Sequence, residues 1–250
     1  MKKLKITPMI IAIFLIALTI SCSKDNSIPT DVASVGNVAL KAKATITNTV
    51  AKNSASAKGL LNSLNITSLK INIKNIEFGV NENEGELINP NDSIYHDLEL
   101  DGPFLLDLAS GNTSIDIANV EIPNNVYDKV QFELNKNTDP NSAIFGKSIE
   151  IKGDINGVPF IFWTDAEEEM QINFSAANTN IVVNGTTTTT TINFDLSTIF
   201  GTASTIDFSA AVDGNSDGVI EISPDNIDGN ADLADLIKNL LEEGTDLEND

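Results

Sequence analysis

Several residue types are rare or absent in this chain, and each shortage excludes some kinds of chemistry. Its fifteen lysine and arginine positions are all lysine, and it holds one cysteine, one histidine and one tryptophan. A single cysteine excludes an intramolecular disulfide framework. A lone histidine, His96, is more typical of a surface or capping position than of a catalyst. These shortages leave little room for thiol or imidazole chemistry.

Positive charge is also scarce. Thirty-six acidic residues oppose fifteen basic ones, which gives a formal charge of −21, and loss of Lys2, Lys3 and Lys5 with a leader would make it −24. Phosphate neutralisation by basic side chains dominates nucleic-acid affinity, so a nucleic-acid partner is not expected. Anionic membrane surfaces would also repel this chain, so membrane attachment would require lipid.

The first 21 residues have the pattern of a signal peptide. Three lysines open the chain, and residues 6–20 are almost wholly apolar, which is shorter than the ~20 residues that span a bilayer. Residues 18–22 (LTISC) resemble a lipobox, where signal peptidase II cuts before the cysteine that receives diacylglycerol. We expect a lipidated Cys22 followed by a tether over residues 22–35. The alternative is an ordinary secreted protein with an incidental cysteine.

The start of the tether bears on location. Lys24-Asp25, just behind Cys22, resembles the surface-export signal of Bacteroidetes lipoproteins, and a plain hydrophilic spacer is the alternative. The expected location is the cell envelope, as an outer-membrane lipoprotein, and both the periplasmic and the surface leaflet stay open. The lipid would then be the chain's membrane partner.

Short runs of alternating apolar and polar residues fill residues 36–212. The alternation over residues 38–46 and 69–73 has the period of half-buried strands, and no helical period intervenes up to residue 212. Strands of this length and spacing predict an all-β fold. We expect an antiparallel β-sandwich of Ig-like or transthyretin-like type, with one short C-terminal helix.

Three local signals refine this prediction. The apolar phase changes between Ile73 and Ile76, which predicts a bulge inside one long strand. Asn156-Gly157 and Asn184-Gly185 each lie between apolar runs, and Asn-Gly is a strong hairpin signal. We therefore expect a hairpin at each of the two dipeptides.

Two segments resemble a known family. Residues 98–111 (LELDGPFLLDLASG) and residues 122–130 (IPNNVYDKV) are similar to motifs of the DUF4382 family of bacterial envelope lipoproteins. Asn125 stands where that family usually has glycine. The resemblance implies an all-β sandwich on a cell envelope. The family's function is unknown, so it implies no catalytic residue.

An Asp- and Asn-rich segment over residues 213–230 resembles an EF-hand or dockerin calcium loop. Oxygen-bearing side chains recur at alternate positions before Gly218, and calcium takes about six to eight oxygen ligands. Pro224 stands where the usual bidentate glutamate belongs. An Asx-rich turn without an ion is the alternative. The predicted calcium ligands are Asp213, Asn215, Asp217, the Val219 carbonyl, Glu221 and Asp225.

A helix is predicted over residues 231–243. Leu233, Leu236, Ile237 and Leu240 recur at helical spacing and form one apolar stripe. The stripe is expected to dock on the sandwich, and docking on a partner is the alternative. Asn230 is a suitable N-cap residue. The remaining residues 244–250 are interpreted as an acidic tail.

The sequence favours a non-catalytic protein. The densest acidic cluster, over residues 165–169, is interpreted as a solvated loop, and no hydrolase, zinc or phosphate motif is present. Phe160, Phe162 and Trp163 form a candidate ligand face, and Ser93 is a candidate O-glycosylation site. We expect a lipid-anchored surface module that binds a glycan or an envelope protein. A structural subunit of an envelope complex is the alternative, and a glycan-active enzyme is a distant one.

Overall fold

The computed structural model describes residues 35–46, 64–79, 98–108, 113–127, 129–173, 181–201, 204 and 206–249. Within these residues the chain is all-β, with two large sheets, a two-stranded ribbon and one helix longer than a single turn. The predicted sandwich-like fold with one short C-terminal helix is confirmed. In the same residues no helix is long and apolar enough to span a bilayer.

The described residues form fourteen strands, two helices and one 3-10 turn. The strands are β1 (Val35–Thr45), β2 (Leu64–Gly79), β3 (Leu98–Leu100), β4 (Phe104–Asp107), β5 (Ile115–Pro123), β6 (Asn125–Tyr127), β7 (Lys129–Leu134), β8 (Ile149–Ile155), β9 (Val158–Thr164), β10 (Glu168–Asn173), β11 (Ile181–Val183), β12 (Thr187–Asp195), β13 (Ile220–Ile222) and β14 (Thr245–Asn249). The helices are α1 (Ser197–Phe200) and α2 (Ala231–Glu243), and a 3-10 turn covers Phe208–Ala210.

The first sheet has the strand order β14-β12-β1-β5. Strand β1 runs antiparallel to β5 but parallel to β12, with Val38 opposite Thr188. The alternation that predicts β1 is confirmed, because its inward side chains are buried at every second position: Val38, Leu40, Ala42 and Ala44. This parallel pairing makes the sheet mixed, a feature that the antiparallel expectation does not include.

The second sheet is built on β2, which is sixteen residues long. Ile73 pairs with Phe104 of β4 on one side and with Leu134 of β7 on the other. Ile71 likewise lies between β4 and β8, so β7 and β8 follow each other along one side of β2. Strands β10 and β9 pair antiparallel with β7 and β8, and β13 pairs in parallel with β9. Residues 129–173 thus form one long hairpin. Its first arm is β7 and β8, its second arm is β9 and β10, and the pairing is interrupted between the two halves of each arm.

Two of the local predictions are confirmed. The register of β2 against β7 shifts between Lys74 and Glu77, and Asn75 adopts φ of 51° at that point. This is the predicted bulge, which restores the apolar side chains that follow to the core. Asn156 (φ 55°) and Gly157 (φ 81°) form the predicted two-residue turn between β8 and β9.

The hairpin expected at Asn184-Gly185 is wrong. Strand β11 pairs with β6, whereas β12 pairs with β1 and β14, so the two flanking strands belong to different sheets. Gly185 still adopts a left-handed φ of 85°, and its N–H donates to Asn124 Oδ1 at 2.8 Å. The dipeptide therefore makes a turn, but the turn carries the chain from the ribbon to the first sheet.

The hydrophobic core lies between the facing sides of the two sheets. Phe132 of β7 meets Phe194 of β12 edge to face, with 6.3 Å between ring centroids. At one end of the core Phe78 meets Tyr127 of the ribbon in the same way, also at 6.3 Å. The opposite end is closed by three neighbouring rings, those of Phe160, Phe200 and Phe208.

Helix α2 begins and ends where the sequence predicts, and it packs against α1, β9 and β13. Its buried face differs from the predicted stripe, because Ile237 is buried while Leu236 is 43% exposed. The Asn230 side chain does not cap the helix. It instead accepts from Val212 N and donates to the Val212 and Glu221 carbonyls, which fastens the start of the helix to the preceding loop.

Most of the segment predicted as an acidic tail is a strand. Residues Thr245–Asn249 form β14, which pairs with β12 at the edge of the first sheet. Leu247 lies opposite Ile192 and packs on the core, while Glu248 forms an ion pair with Lys43. One apolar residue among acidic neighbours is enough for this pairing, because β12 already offers a free edge. The sandwich therefore includes β13 and β14 and extends beyond residue 212.

Candidate functional site

The predicted aromatic face is split by the sheet. Phe160 and Phe162 are 2% and 0% exposed and point into the core, so their assignment to a ligand face is wrong. Successive side chains of a strand point to opposite sides, and Trp163 therefore lies on the outer face of β9. Its ring remains partly exposed. Of the three predicted residues, only Trp163 is available to a ligand.

Trp163 is held in place by polar neighbours. Its Nε1 donates to Glu221 Oε1 of β13 at 3.1 Å, and the same oxygen accepts from Ser223 Oγ at 2.8 Å. Lys147 Nζ lies 5.5 Å from the centre of the indole ring, which is cation–π distance. Both the polar edge and one face of the ring thus have fixed partners.

A row of charged residues leads across the outer face to Trp163. In register, Asp107 lies opposite Lys70, Lys70 lies opposite Glu150, and Glu150 lies opposite Trp163. Lys70 and Asp107 form an ion pair, which is a cross-strand polar contact between β2 and β4. We call these four residues the outer row.

Glu150 is the unusual member of the outer row, because a carboxylate at this position is 1% exposed. Lys147 Nζ donates to its Oε2 at 2.6 Å. Lys152 Nζ lies 2.6 Å from Oε1, which accepts no well-aligned hydrogen bond. Burial raises the pKa of Glu150, but hydrogen bonds and charge from the two lysines outweigh it, so the pKa lies below its ordinary value. Glu150 is therefore a buried anion clamped by two cations.

The insertion between β7 and β8, residues 135–148, packs on the outer face of the sheet and supplies Lys147 to Glu150. Asn72 of β2 faces outward but is 1% exposed, and its side chain bonds the Asn135 carbonyl at 2.8 Å and Asn137 Nδ2 at 3.1 Å. Ile144 is fully buried in the same insertion. The insertion thus covers part of the outer face and leaves Trp163 at its margin. No periodic pattern in the sequence of residues 135–148 marks this cover.

The Asp- and Asn-rich loop is tightly turned by its own side chains. Asp213 accepts from the N–H groups of Asp217 and Gly218 at 3.1 and 2.9 Å. Asn215 Oδ1 accepts from Asp217 N at 2.8 Å, and Asp217 Oδ1 accepts from Val219 N at 2.9 Å. Gly218 adopts φ of 92°, a conformation that favours glycine. The first four predicted ligands therefore belong to one compact turn.

A residue outside the predicted ligand set organises this loop. Asp228 is 4% exposed, and its two carboxylate oxygens accept from Asn215 N at 3.1 Å and from Glu221 N at 2.7 Å. Glu221 directs its own carboxylate to Trp163 rather than into the turn. Asp225 is exposed. In the sequence, Asp228 is marked only by its place in the polar run Asp228-Gly229-Asn230.

The geometry fits only part of the predicted calcium set. Asp213, Asn215 and Asp217 lie together, whereas Glu221 is committed to Trp163 and Ser223. Among the residues that the structure describes, no group of three or more acidic, histidine or cysteine side chains converges as metal ligands would. The turn is thus shaped by hydrogen bonds to backbone N–H groups, and its carboxylates would have to share those bonds with an ion.

The acidic cluster over residues 165–169 is distributed among several partners. Asp165 pairs with Lys136 at 2.8 Å, Glu167 accepts from Asn135 at 3.0 Å, and Glu168 pairs with Lys238 at 2.9 Å. These contacts tie the insertion and α2 to the hairpin. The acidic cluster therefore stabilises the packing of these elements at the surface.

Three predicted residues lie outside the part of the chain that the structure describes. They are Cys22, the expected lipid site, Ser93, the candidate glycosylation site, and His96, the lone histidine. Their assignments stay predictions.

Comparison with known proteins adds no relative. No family model, no curated protein and no solved structure matches this chain.

Proposed function

We propose that this protein is a non-catalytic, lipid-anchored protein of the cell envelope whose β-sandwich is a binding module. The observation that carries the proposal is Trp163, a partly exposed indole on the outer face of a rigid sheet, with partners at its edge and face. Aromatic rings held in this way supply contact area at little entropic cost, and flanking polar groups orient a ligand.

The anchor is proposed from the sequence of residues 1–22. The three lysines, the short apolar run and the cysteine that follows it support processing and lipidation at Cys22. The DUF4382 resemblance supports the same envelope location. Fatty-acid labelling and mass measurement of the N-terminal peptide test this step. An unmodified Cys22 in the native host would overturn it, and Cys22→Ser should abolish both labelling and detergent partitioning.

A neutral glycan is the ligand class that the outer face favours. A net charge of −21 disfavours acidic ligands, while the apolar face of a sugar ring suits a partly exposed indole. Glu221 and Lys147 beside the ring could bond hydroxyl groups. An envelope protein that docks on the same face is the second candidate. It is favoured by the ordered insertion and its Phe145, which is 56% exposed.

Trp163 is the chain's sole tryptophan, so its fluorescence reports directly on the proposed site. Titration with a panel of neutral oligosaccharides should shift or quench the emission, and Trp163→Ala should abolish binding measured by calorimetry. Phe145→Ala is the matched control, because it removes an exposed aromatic ring of the insertion and keeps Trp163. Glycan binding that survives Trp163→Ala would refute the site. A partner captured from envelope extract by the parent and lost with Phe145→Ala would favour the protein ligand.

We also propose that calcium braces the loop over residues 213–219. The clustering of Asp213, Asn215 and Asp217 oxygens beside Gly218 supports this, since calcium prefers such ligands. Calorimetric titration with millimolar calcium should release or absorb heat, and Asp217→Ala should remove that signal. Asp232→Ala, at an exposed position on α2, is the control. Absence of heat in the parent protein would refute calcium binding without affecting the Trp163 proposal.

A further inference from the structure

Glu221 connects Trp163 with the Asp- and Asn-rich loop. It is the middle residue of β13, which is the last strand of the second sheet on the side of β9. Its side chain faces Trp163, because Oε1 accepts from the indole Nε1 at 3.1 Å and from Ser223 Oγ at 2.8 Å. The orientation of the indole therefore depends on the position of Glu221.

The backbone of Glu221 is held by two buried side chains. Its N–H donates to Asp228 Oδ2 at 2.7 Å, and its carbonyl accepts from Asn230 Nδ2 at 2.8 Å. Asp228 and Asn230 are 4% and 5% exposed, and we call this pair the clasp. The backbone polar groups of an edge strand need partners, and here the clasp supplies both of them. The clasp therefore fixes where Glu221 lies.

The clasp also holds the start of the loop. Asp228 Oδ1 accepts from Asn215 N at 3.1 Å. Asn230 Oδ1 accepts from Val212 N at 3.1 Å, and its Nδ2 donates to the Val212 carbonyl at 2.8 Å. Gly214 packs directly on the clasp, since a Cβ at that position would lie 2.5 Å from the Asp228 carbonyl oxygen. The Asp228 carboxylate thus has one oxygen on the loop and the other on β13.

The loop is braced internally, so a displacement of the loop reaches Asp228. The side chains of Asp213, Asn215 and Asp217 accept from backbone N–H groups within the turn at 2.8 to 3.1 Å, so the turn moves as a unit. A buried carboxylate cannot replace a lost N–H partner with water. A shift of Asn215 therefore draws Asp228 with it or leaves one carboxylate oxygen without a partner. Either outcome disturbs the bond from Asp228 to β13.

We propose that Asp228 is a positioning residue that couples the loop over residues 213–219 to the indole of Trp163. The proposal rests on Trp163 as the ligand site and adds a means of regulating it. A cation that holds the loop in this shape raises the affinity for a ligand at Trp163, because it keeps Glu221 in place beside the indole. By thermodynamic linkage the ligand raises the affinity for the cation by the same factor, typically about fivefold or more.

The test reads Trp163 without a ligand. Acrylamide quenches the emission of an accessible indole, and Trp163 is the sole tryptophan of the chain. Asp213→Ala removes the acceptor for two N–H groups of the turn and leaves Glu221 intact. In calcium-free buffer it should raise the acrylamide quenching constant at least twofold, because a loosened loop releases Asp228 and with it the indole. An unchanged quenching constant would overturn the proposal.

Asp207→Ala is the matched control. Asp207 Oδ1 accepts from Ser209 N at 2.9 Å, so the substitution opens a turn of the same kind that is built on Ser209 rather than on the clasp. The control should leave the quenching constant unchanged. Equal increases in Asp207→Ala and Asp213→Ala would mean that any loosened turn exposes the indole, and the coupling would be refuted.

A double-mutant cycle assigns the coupling to Asp228. Asp228→Asn keeps the size of the side chain but replaces one acceptor oxygen with an NH₂ donor. Asp213→Ala should raise quenching in the parent and add no further increase in the Asp228→Asn background. A full increase in that background would show a path that bypasses Asp228, which contradicts the proposal.

A further variant keeps the test decisive where Asp228→Asn does not fold. Gly214→Ala places a Cβ against Asp228 from the loop side. It should raise the quenching constant, and circular dichroism and urea unfolding identify the variants that are folded. If neither folded Gly214→Ala nor folded Asp213→Ala raises quenching, the proposal is overturned without the Asp228 variant.

The coupling can fail separately from the proposed function. Acrylamide quenching requires neither sugar nor ion. A panel of neutral oligosaccharides that does not bind would refute the ligand site at Trp163, and calcium that produces no heat would refute the ion. In both cases the quenching results still decide the coupling.

Discussion

Glu150→Gln isolates the buried anion of the outer row. The substitution keeps the size of the side chain and removes its charge, so that Lys147 and Lys152 lose their shared counterion. Glu150 is 1% exposed, whereas the side chains of Lys147 and Lys152 are 22% and 46% exposed. The two lysines can therefore turn toward water once the carboxylate is gone.

The expected cost follows from these exposures. Breaking a fully buried ion pair typically costs about 3–5 kcal/mol, because the remaining charge stays buried. Here the partners are partly solvated, which reduces the cost to about 2 kcal/mol. A domain of this size loses about 2–4 °C of melting temperature per kcal/mol, so the expected shift is about 4–8 °C.

The pH dependence of the protein's stability tests the same contact in a second way. The pKa of Glu150 is lowered in the folded protein relative to its ordinary 4.5, so the carboxylate stabilises the fold above about pH 4.5. That stabilisation is lost as the pH falls through the folded pKa, below 4.5. The parent should therefore lose more stability than Glu150→Gln between neutral pH and about pH 3.

Urea unfolding at neutral and acid pH measures both effects. Asp165→Asn is the control, since Asp165 and Lys136 form an ion pair whose side chains are 42% and 40% exposed. That control should cost less than about 1 kcal/mol. The reasoning is refuted if Glu150→Gln lowers the free energy of unfolding no more than Asp165→Asn does at neutral pH. It is also refuted if the parent and Glu150→Gln lose equal stability on acidification.

Three other perturbations test separate parts of the fold. Gly153→Ala would place a Cβ 2.0 Å from the Asn65 carbonyl oxygen, and should cost about 1–3 kcal/mol in urea unfolding; an unchanged midpoint would contradict this contact. Tyr127 donates to the Pro123 carbonyl at 2.9 Å and its burial raises the pKa to about 12, so an absorbance titration minus that of Tyr127→Phe should show ionisation well above pH 10. Ionisation near pH 10 would refute the burial. Deletion of residues 245–250 removes β14 and opens the edge of β12, and light scattering should then show aggregation that the full chain does not show; a monodisperse truncated protein would count against β14.

Sequence patterns predict the features of this fold that depend on neighbours in the chain. The bulge at Asn75 and the turn at Asn156-Gly157 are both set by a few consecutive residues. The same holds for the bounds of α2, where a helical stripe meets Gly244. Each of these features has a local free-energy minimum that the residues themselves create.

Features that depend on distant partners escape prediction. Asn184-Gly185 has the same turn preference as Asn156-Gly157, yet its flanking strands find better partners in the ribbon and the first sheet. Strand β14 exists because β12 has a free edge, which no pattern in residues 245–249 reveals. The candidate site follows the same rule. Trp163 can be chosen as a candidate from the sequence because it is the sole tryptophan, whereas its contact with Glu221 depends on the pairing of β13 with β9.

The place of β1 in the first sheet has a consequence for how the chain matures. Strand β1 is the first to emerge during synthesis, but its two neighbours, β5 and β12, end at Pro123 and Asp195. The amino-terminal strand must therefore wait, unpaired on one side, until most of the polypeptide has appeared. Pairings of such long sequence separation close slowly. This delay would leave the new chain without its complete first sheet until β12 has been synthesised.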